Sequence, residues 1–345
     1  MKKVIHLLPY DGIGGAEAAA RSMAEAPPVD IDFHLRFIFP HVRSRNQRGA
    51  TFNPLTLLSS TLKVLGERPD LLVCSLWRSC IVGILVKLRR PGTRLAVFIH
   101  NSVDAHQADR VVTRLAMALA EAVWVDSEAS LRLRFRKMPR APVTVIPFLA
   151  RQLDPALEED SIQQPTPTFV FWGRLAAQKN LRNALQLFAA VRRVAPDACF
   201  TVIGPDSGEL PVLRAWCRQT GIDDAVRFTG PMDFDGIRAS ARDHAFYLQT
   251  SNYEGMAMSV VEAMQLGLVP VVTPVGEIAR YCRDGENAVL VANPEDAASR
   301  VLGLLQDPAR WRAMRQRAIA TWRGQPLYGD AVAAACRTLI TPREP

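Results

Sequence analysis

Two glutamates with seven residues between them, Glu254 and Glu262, flank a glycine in YLQTSNYEGMAMSVVEAMQLGLVPVV. Glu254 opens a polar loop, and Glu262 falls within MSVVEAMQL, a run of helix formers stopped by Gly267. An apolar run, Ala245 to Leu248, leads into the loop, and a second, Val269 to Thr273, follows the helix. The order strand, loop, helix, strand puts the loop at the carboxyl edge of a parallel sheet, where open α/β sheets bind ligands. Backbone amides of Gly255, Met256 and Ala257 would then point out of the helix start, where unpaired donors and the helix dipole stabilise an anion. A phosphate fits there while carboxylates accept hydrogen bonds from hydroxyls beside it, a combination that suits a nucleotide sugar. On residue types alone the pair is ambiguous. Glu17 and Glu25 have the same spacing, and Glu262 reads equally as a solvated helix position.

Upstream, FVFWGRLAAQKNLRNALQLF repeats the arrangement: an apolar strand, a turn at Gly173, then a helix whose approach carries Arg174 and Lys179. Arginine grips phosphate oxygens bidentately and lysine offers a point charge to the same group. Either residue alone reads as an ordinary surface cation; together, beside a second strand-to-helix turn, they fit a diphosphate.

GRLAAQKN, EGMAMSVVEAM and DGENAVLV resemble the donor-site elements of the retaining GT-B glycosyltransferases of family GT4, and the resemblance is strongest from Phe169 to about Val291. It implies two Rossmann-like, doubly wound parallel-sheet domains facing a central cleft. It further implies that Arg174 and Lys179 hold the donor diphosphate, Glu254 contacts the transferred sugar and Glu262 binds the ribose. Met256 and Ala257 stand where the family usually has glycine or another small residue with an aromatic. The activity implied is retaining transfer of a hexose-type sugar from a nucleotide-diphosphate sugar to a saccharide or lipid-linked saccharide, as in surface polysaccharide or glycolipid synthesis. A sugar-nucleotide epimerase of the same fold and a catalytically silent nucleotide-sugar-binding scaffold share this frame. A dinucleotide oxidoreductase does not, because Asp11-Gly12-Ile13-Gly14-Gly15 lacks the required glycine spacing.

That glycine pair nonetheless lets backbone amides approach a ligand, although a plain tight turn explains it as well. The resemblance favours Gly14 and Gly15 as donor-site residues. His100, closing the run Leu95 to His100, can donate to a hydroxyl or a developing negative charge, or can be a satisfied structural histidine. The resemblance places it at the reaction centre. Asp126-Ser127-Glu128 and Val145-Ile146-Pro147 also match family landmarks, with Phe148-Leu149 where Asn-Gly is usual. The triplets Asp30 to Asp32 and Asp233 to Asp235 are assigned to a strand entrance and a helix cap rather than to metal. With Arg174, Lys179 and a helix start available, no metal and no cofactor is expected.

At 345 residues the chain can build two α/β domains. Alternating apolar runs and helical patterns divide it into 1–150, a hinge at 151–167 rich in proline, acidic residues and glutamine, 168–325, and a closing helix in 326–345. The resemblance implies that this last helix crosses back to the first domain. Charge is uneven: residues 1–150 hold 21 Lys plus Arg against 12 Asp plus Glu, and residues 151–345 hold 21 against 22. Arg43, Arg45 and Arg48 contribute, as do Lys87 to Arg94 and Arg132 to Arg140. A basic first half suits an anionic partner, and with no nucleic-acid-binding signature an anionic membrane surface is the expected one. Six scattered cysteines suit a reducing compartment, and VIHLLPY reads as a first strand rather than a signal peptide. The expected setting is cytoplasmic, peripheral on the cytoplasmic face of the membrane.

Overall fold

A computed structural model describes residues 1–12, 15–40, 53–100, 104, 106–135, 138–156 and 164–341. Gly14, Asn101, Arg43, Arg45, Arg48, Arg136, Lys137 and the stretch 157–163 of the expected hinge lie outside these. The chain divides into two compact units, Met1–Arg151 with Pro326–Pro345, and Gln152–Gln325.

The first unit is built on a six-stranded parallel sheet in the order β2-β1-β3-β4-β5-β6. Its strands are β1 (Lys2–Tyr10), β2 (Ile31–Phe39), β3 (Leu71–Ser75), β4 (Arg94–Ile99), β5 (Ala122–Val125) and β6 (Val143–Val145). The helices α1 (Gly15–Glu25), α2 (Pro54–Glu67), α3 (Trp77–Arg89), α4 (Gln107–Leu119) and α5 (Glu128–Arg134) connect them. Unbroken apolar runs such as LLVCS in β3 are buried on both faces, as strands covered by helices on each side require. Polar side chains fix the helix starts: Asn53 caps α2, His106 caps α4 and Ser127 caps α5. The sequence pattern starts α4 at Ala105; the structure starts it at Gln107, because His106 Nδ1 accepts from the Asp109 amide.

The chain returns to this unit in α13 (Tyr328–Ile340). The Tyr328 amide donates to the Leu149 carbonyl at 2.7 Å, and Arg337 grips Asp30 with two hydrogen bonds, 2.7 and 2.8 Å long. Asp30 thereby serves as an anchor for α13, and burial of Tyr328 and Cys336 completes the contact.

The second unit carries β7 (Thr168–Trp172), β8 (Cys199–Ile203), β9 (Val226–Gly230), β10 (Phe246–Gln249), β11 (Val269–Val272) and β12 (Val289–Leu290). They form one sheet in the order β12-β11-β10-β7-β8-β9, every neighbouring pair parallel. Its helices are α6 (Leu181–Arg192), α7 (Leu210–Thr220), α8 (Phe234–Arg242), α9 (Met258–Gln265), α10 (Ile278–Tyr281), α11 (Pro294–Gln306) and α12 (Pro308–Trp322). Asp233 caps α8 by accepting from the Gly236 amide at 2.8 Å, the role its sequence position suggests. The unit begins at Gln152: Leu153 donates its amide to Gln265 Oε1 and Ala156 donates to the Leu266 carbonyl, both at 2.9 Å. Strand order reverses between β7 and β10, which are direct neighbours. That reversal opens a crevice at their carboxyl ends.

Candidate functional site

Arg174 and Lys179 follow β7, while Glu254 and Glu262 follow β10, so the switch point of the second sheet receives the segments that carry Arg174, Lys179 and Glu254 and the helix α9 that carries Glu262. The two loops are joined by hydrogen bonds. Thr250 Oγ1 donates to the Asn180 carbonyl at 2.8 Å, the Asn252 amide donates to the Gln178 carbonyl at 2.9 Å, and Gln178 Nε2 donates to the Tyr253 carbonyl at 2.8 Å. This lacing brings Lys179, at the end of a single 3-10 turn (Ala177–Lys179), against Glu254. The Lys179 ammonium lies 2.6 Å from Glu254 Oε1, with the side chains only 14% and 8% exposed.

Gln249 fixes the same carboxylate. Its Nε2 donates to Glu254 Oε1 at 3.1 Å, while its Oε1 accepts from Ser259 at 2.9 Å. Tyr247 Oη stands 2.9 Å from Gln249 Oε1 and 3.1 Å from the Trp172 carbonyl, so its single proton serves both acceptors. Trp172 in turn donates Nε1–H to Glu262 Oε2 at 2.9 Å. A continuous hydrogen-bonded chain therefore links the two glutamates through Gln249, Tyr247 and Trp172. Tyr247 and Gln249 are fully buried, and burial pushes the Tyr247 phenol well above its usual range, keeping it a neutral donor.

The loop between Glu254 and α9 enters the helix through Ala257, whose φ of 55° is left-handed and which offers no side-chain cap. Among the described residues no protein acceptor lies on the amides of Gly255, Met256 or Ala257. These are the donors a helix start presents to an anion. The loop is held from behind. A Cβ on Gly276, where φ is +59°, would stand 2.2 Å from the Glu254 carbonyl, the Glu277 amide donates to the Gly255 carbonyl at 3.1 Å, and Tyr281 donates to the Met256 carbonyl at 2.9 Å.

Arg174 is exposed one residue past Gly173 and, among the described residues, makes no side-chain hydrogen bond or ion pair. Gly204 is forced to be glycine: a Cβ there would stand 1.8 Å from the Gly173 carbonyl, so the loops after β7 and β8 touch backbone to backbone. Gln249, Trp172, Gly204 and Gly276 were not singled out by the sequence reading. Only the glycines left a local signal, each following or preceding an apolar strand.

In the first unit, Gly15 opens α1 and is exposed. Arg21 spans from that helix to the loop after β1, donating to Asp11 at 2.6 Å and to the Gly12 carbonyl at 2.7 Å. His100 sits just past β4, its Nε2 2.7 Å from Ser75 Oγ. The same hydroxyl lies 2.7 Å from His6 Nε2. A hydroxyl carries one proton, so at most one imidazole accepts it and the other must donate. His6 is enclosed, and burial pulls its pKa down to about 3, so it is neutral. Phe148 stacks on His100 with ring centroids 5.2 Å apart, and Phe98 and Tyr328 flank Phe148 at 5.7 and 5.4 Å. The Phe148-Leu149 departure from the family pattern thus makes an aromatic backing for His100 and a seat for α13. Leu76, between Ser75 and α3, takes φ 67° and ψ 154°, a region normally left to glycine.

The second sheet runs in the three-two-one-four-five-six order with polar and charged side chains at its switch point, the first in the order two-one-three-four-five-six, and two doubly wound parallel-sheet units of this kind in one chain are the GT-B architecture. Residues 156–321 match the family model of glycosyl transferases group 1. The chain is 35% identical over 136 residues to GDP-mannose:cellobiosyl-diphosphopolyprenol alpha-mannosyltransferase of Komagataeibacter xylinus, covering 39% of this chain and 34% of that protein. It is 30% identical over 165 residues to D-inositol 3-phosphate glycosyltransferase 2 of Catenulispora acidiphila, covering 45% of this chain and 39% of that one. The matches therefore span between a third and two fifths of these relatives' lengths. In fold the whole chain is similar to Anabaena Alr3699/HepE, crystallised in complex with UDP and glucose, with a TM-score of 0.78 and 16% identity over 99% of this chain and all of that one. Sucrose-phosphate synthase of Thermosynechococcus elongatus gives a TM-score of 0.74 at 17% identity, covering 98% of this chain and 99% of that one.

Proposed function

We propose that the protein is a retaining glycosyltransferase, moving a hexose-type sugar from a nucleotide-diphosphate sugar to a saccharide or lipid-linked saccharide acceptor. The observation that carries this reading is the pairing of Lys179 with Glu254 beside three unpartnered amides at the β7/β10 switch point. As the diphosphate departs, Arg174, Lys179 and the amides of Gly255, Met256 and Ala257 hold its growing negative charge, which is where most of the rate enhancement arises. Glu254, fixed by Gln249, accepts from hydroxyls of the sugar, and Glu262, fixed by Trp172, accepts from the ribose diol. Neither glutamate attacks the sugar. His100 and Gly15 are assigned to the reaction centre and the donor phosphates on the strength of family resemblance. The neutralising charge comes from side chains and amides, so no metal is required and chelation leaves the rate unchanged.

The relatives' names, a mannosyltransferase acting on cellobiosyl-diphosphopolyprenol and an inositol 3-phosphate glycosyltransferase, support an anionic or lipid-linked saccharide acceptor. The test is thermal stabilisation across UDP, GDP, ADP, NAD and S-adenosylmethionine, followed by transfer assays with the matching sugar donors and NMR of the anomeric proton in the product. Stabilisation by one nucleoside diphosphate, lost in Arg174→Ala, with retained anomeric configuration, is expected. Stabilisation by NAD or S-adenosylmethionine instead, an inverted product, or an isomerised sugar formed without acceptor overturns the reading.

A further inference from the structure

Fourteen large apolar side chains are exposed among the described residues, and seven of them lie on α2, α3 and α4. Those three helices hold only 40 of the chain's residues, so the apolar exposure is concentrated. On α2, Leu55, Leu58 and Leu62 follow each other at helical spacing and each is more than half exposed, while Leu57, Thr61 and Val64 face the sheet. On α4, Val111 and Leu115 form a second stripe, and Leu88 with Leu85 forms a third on α3. α3 packs between α2 and α4, so the stripes stand side by side on one outer surface of the first unit.

Cations border each stripe. Lys63 follows Leu62, Arg89 is one turn beyond Leu85, and Arg114 is one turn beyond Val111, all three exposed and without an ion pair among the described residues. The acidic groups on these helices are occupied elsewhere: Glu67 accepts from Arg36 on β2, and Asp109 is buried, accepting from Thr113. An apolar surface with unopposed positive charge at its edges matches an interface whose interior is hydrocarbon and whose rim is anionic. A second copy of the chain fits it poorly, since a two-fold contact of this face with itself would set Lys63, Arg89 and Arg114 against their own counterparts.

We propose that the outer face of α2, α3 and α4 docks on an anionic phospholipid bilayer, with the leucines entering the headgroup boundary and the basic residues meeting lipid phosphates. Among the described residues no helix is long and apolar enough to cross a membrane, so this contact is peripheral. Docking is a property of the first unit and stands independently of the donor site in the second.

The experiment is co-sedimentation of the full chain with vesicles of phosphatidylcholine, with and without about one third phosphatidylglycerol. The protein is expected to bind the anionic vesicles at least about tenfold more tightly, and to be released as salt rises from about 0.1 to about 0.5 M. Leu58→Ser with Leu62→Ser should lower binding about tenfold or more, and Lys63→Glu with Arg89→Glu and Arg114→Glu should abolish the anionic preference. These positions are exposed, so the thermal melt of each variant should match that of the parent, and Val194→Ser with Val212→Ser, exposed in the other unit, should bind as the parent does. Equal binding to both vesicle types, unchanged binding by the leucine variant, or a dimer that the leucine variant converts to monomer overturns the proposal.

Discussion

Lys179 and Glu254, 75 residues apart in the chain, form an ion pair of 2.6 Å that Gln249 completes from the other side of the same oxygen. The pair is nearly enclosed, so removing one partner strands the other charge. Lys179→Met is expected to cost about 2–3 kcal/mol of stability, and adding Glu254→Gln to recover about half of that, since the lone charge is then gone as well. Arg174→Ala, at an exposed position, should change stability by less than about 0.5 kcal/mol while lowering transfer about a hundredfold or more. Urea unfolding and initial rates measure the two quantities; an Arg174 variant that loses stability, or a Lys179 variant that does not, contradicts this account.

Gln249 touches Glu254 and no position assigned to phosphate, so Gln249→Leu should separate sugar positioning from nucleotide binding. Transfer is expected to fall about a hundredfold in kcat, because a misplaced carboxylate loses its alignment with the sugar hydroxyls. Affinity for the nucleoside diphosphate, measured by calorimetry, should stay within about twofold. A loss of nucleotide affinity as large as the loss of rate would show that Gln249 merely supports the fold of the loop.

Two glycines separate crowding from backbone strain. Gly276 and Gly285 have φ of +59° and +70°, but a Cβ at Gly276 meets the Glu254 carbonyl at 2.2 Å, whereas one at Gly285 meets nothing within 4 Å. Gly285→Ala should cost only the left-handed backbone penalty, about 1 kcal/mol. Gly276→Ala should cost about 2 kcal/mol more and depress transfer, because the loop bearing Glu254 must move. Equal melting temperatures for the two variants would remove the crowding argument.

His6 supplies a pH dependence with a definite sign. Burial depresses its pKa from 6.5 to about 3 in the folded chain, so the unfolded chain takes up a proton that the folded chain refuses. The contribution is fully present above pH ~6.5 and is lost as pH falls from there toward ~3, at up to about 1.4 kcal/mol per pH unit. His244 is shifted the same way by burial, so the measurement should be a difference between the parent and His6→Gln. The parent should lose stability more steeply than the variant between pH 6.5 and 4.5; parallel curves would mean that His6 is reached by water.

The alternation of buried strands with amphipathic helices was legible because burial leaves a periodic mark on neighbouring residues. LLVCS and TFVFW could only be covered strands, and the expected class, two doubly wound parallel sheets, is the one observed. Turn glycines and the acidic and basic residues around them pointed to the β7 and β10 loops as places for chemistry. The sequence was silent on which loop meets which. Trp172 donating to Glu262 spans 90 residues, and Gln249 looks like any polar residue ending a strand. Those contacts exist because β10 pairs with β7 rather than with β9, its predecessor in the chain, and strand order is set by crossover handedness and packing of the whole sheet. Residue types thus decided what chemistry the chain can do, whereas the folded sheet decided which carboxylate each lysine, glutamine and tryptophan holds, because hydrogen bonds between distant segments leave no trace in local periodicity.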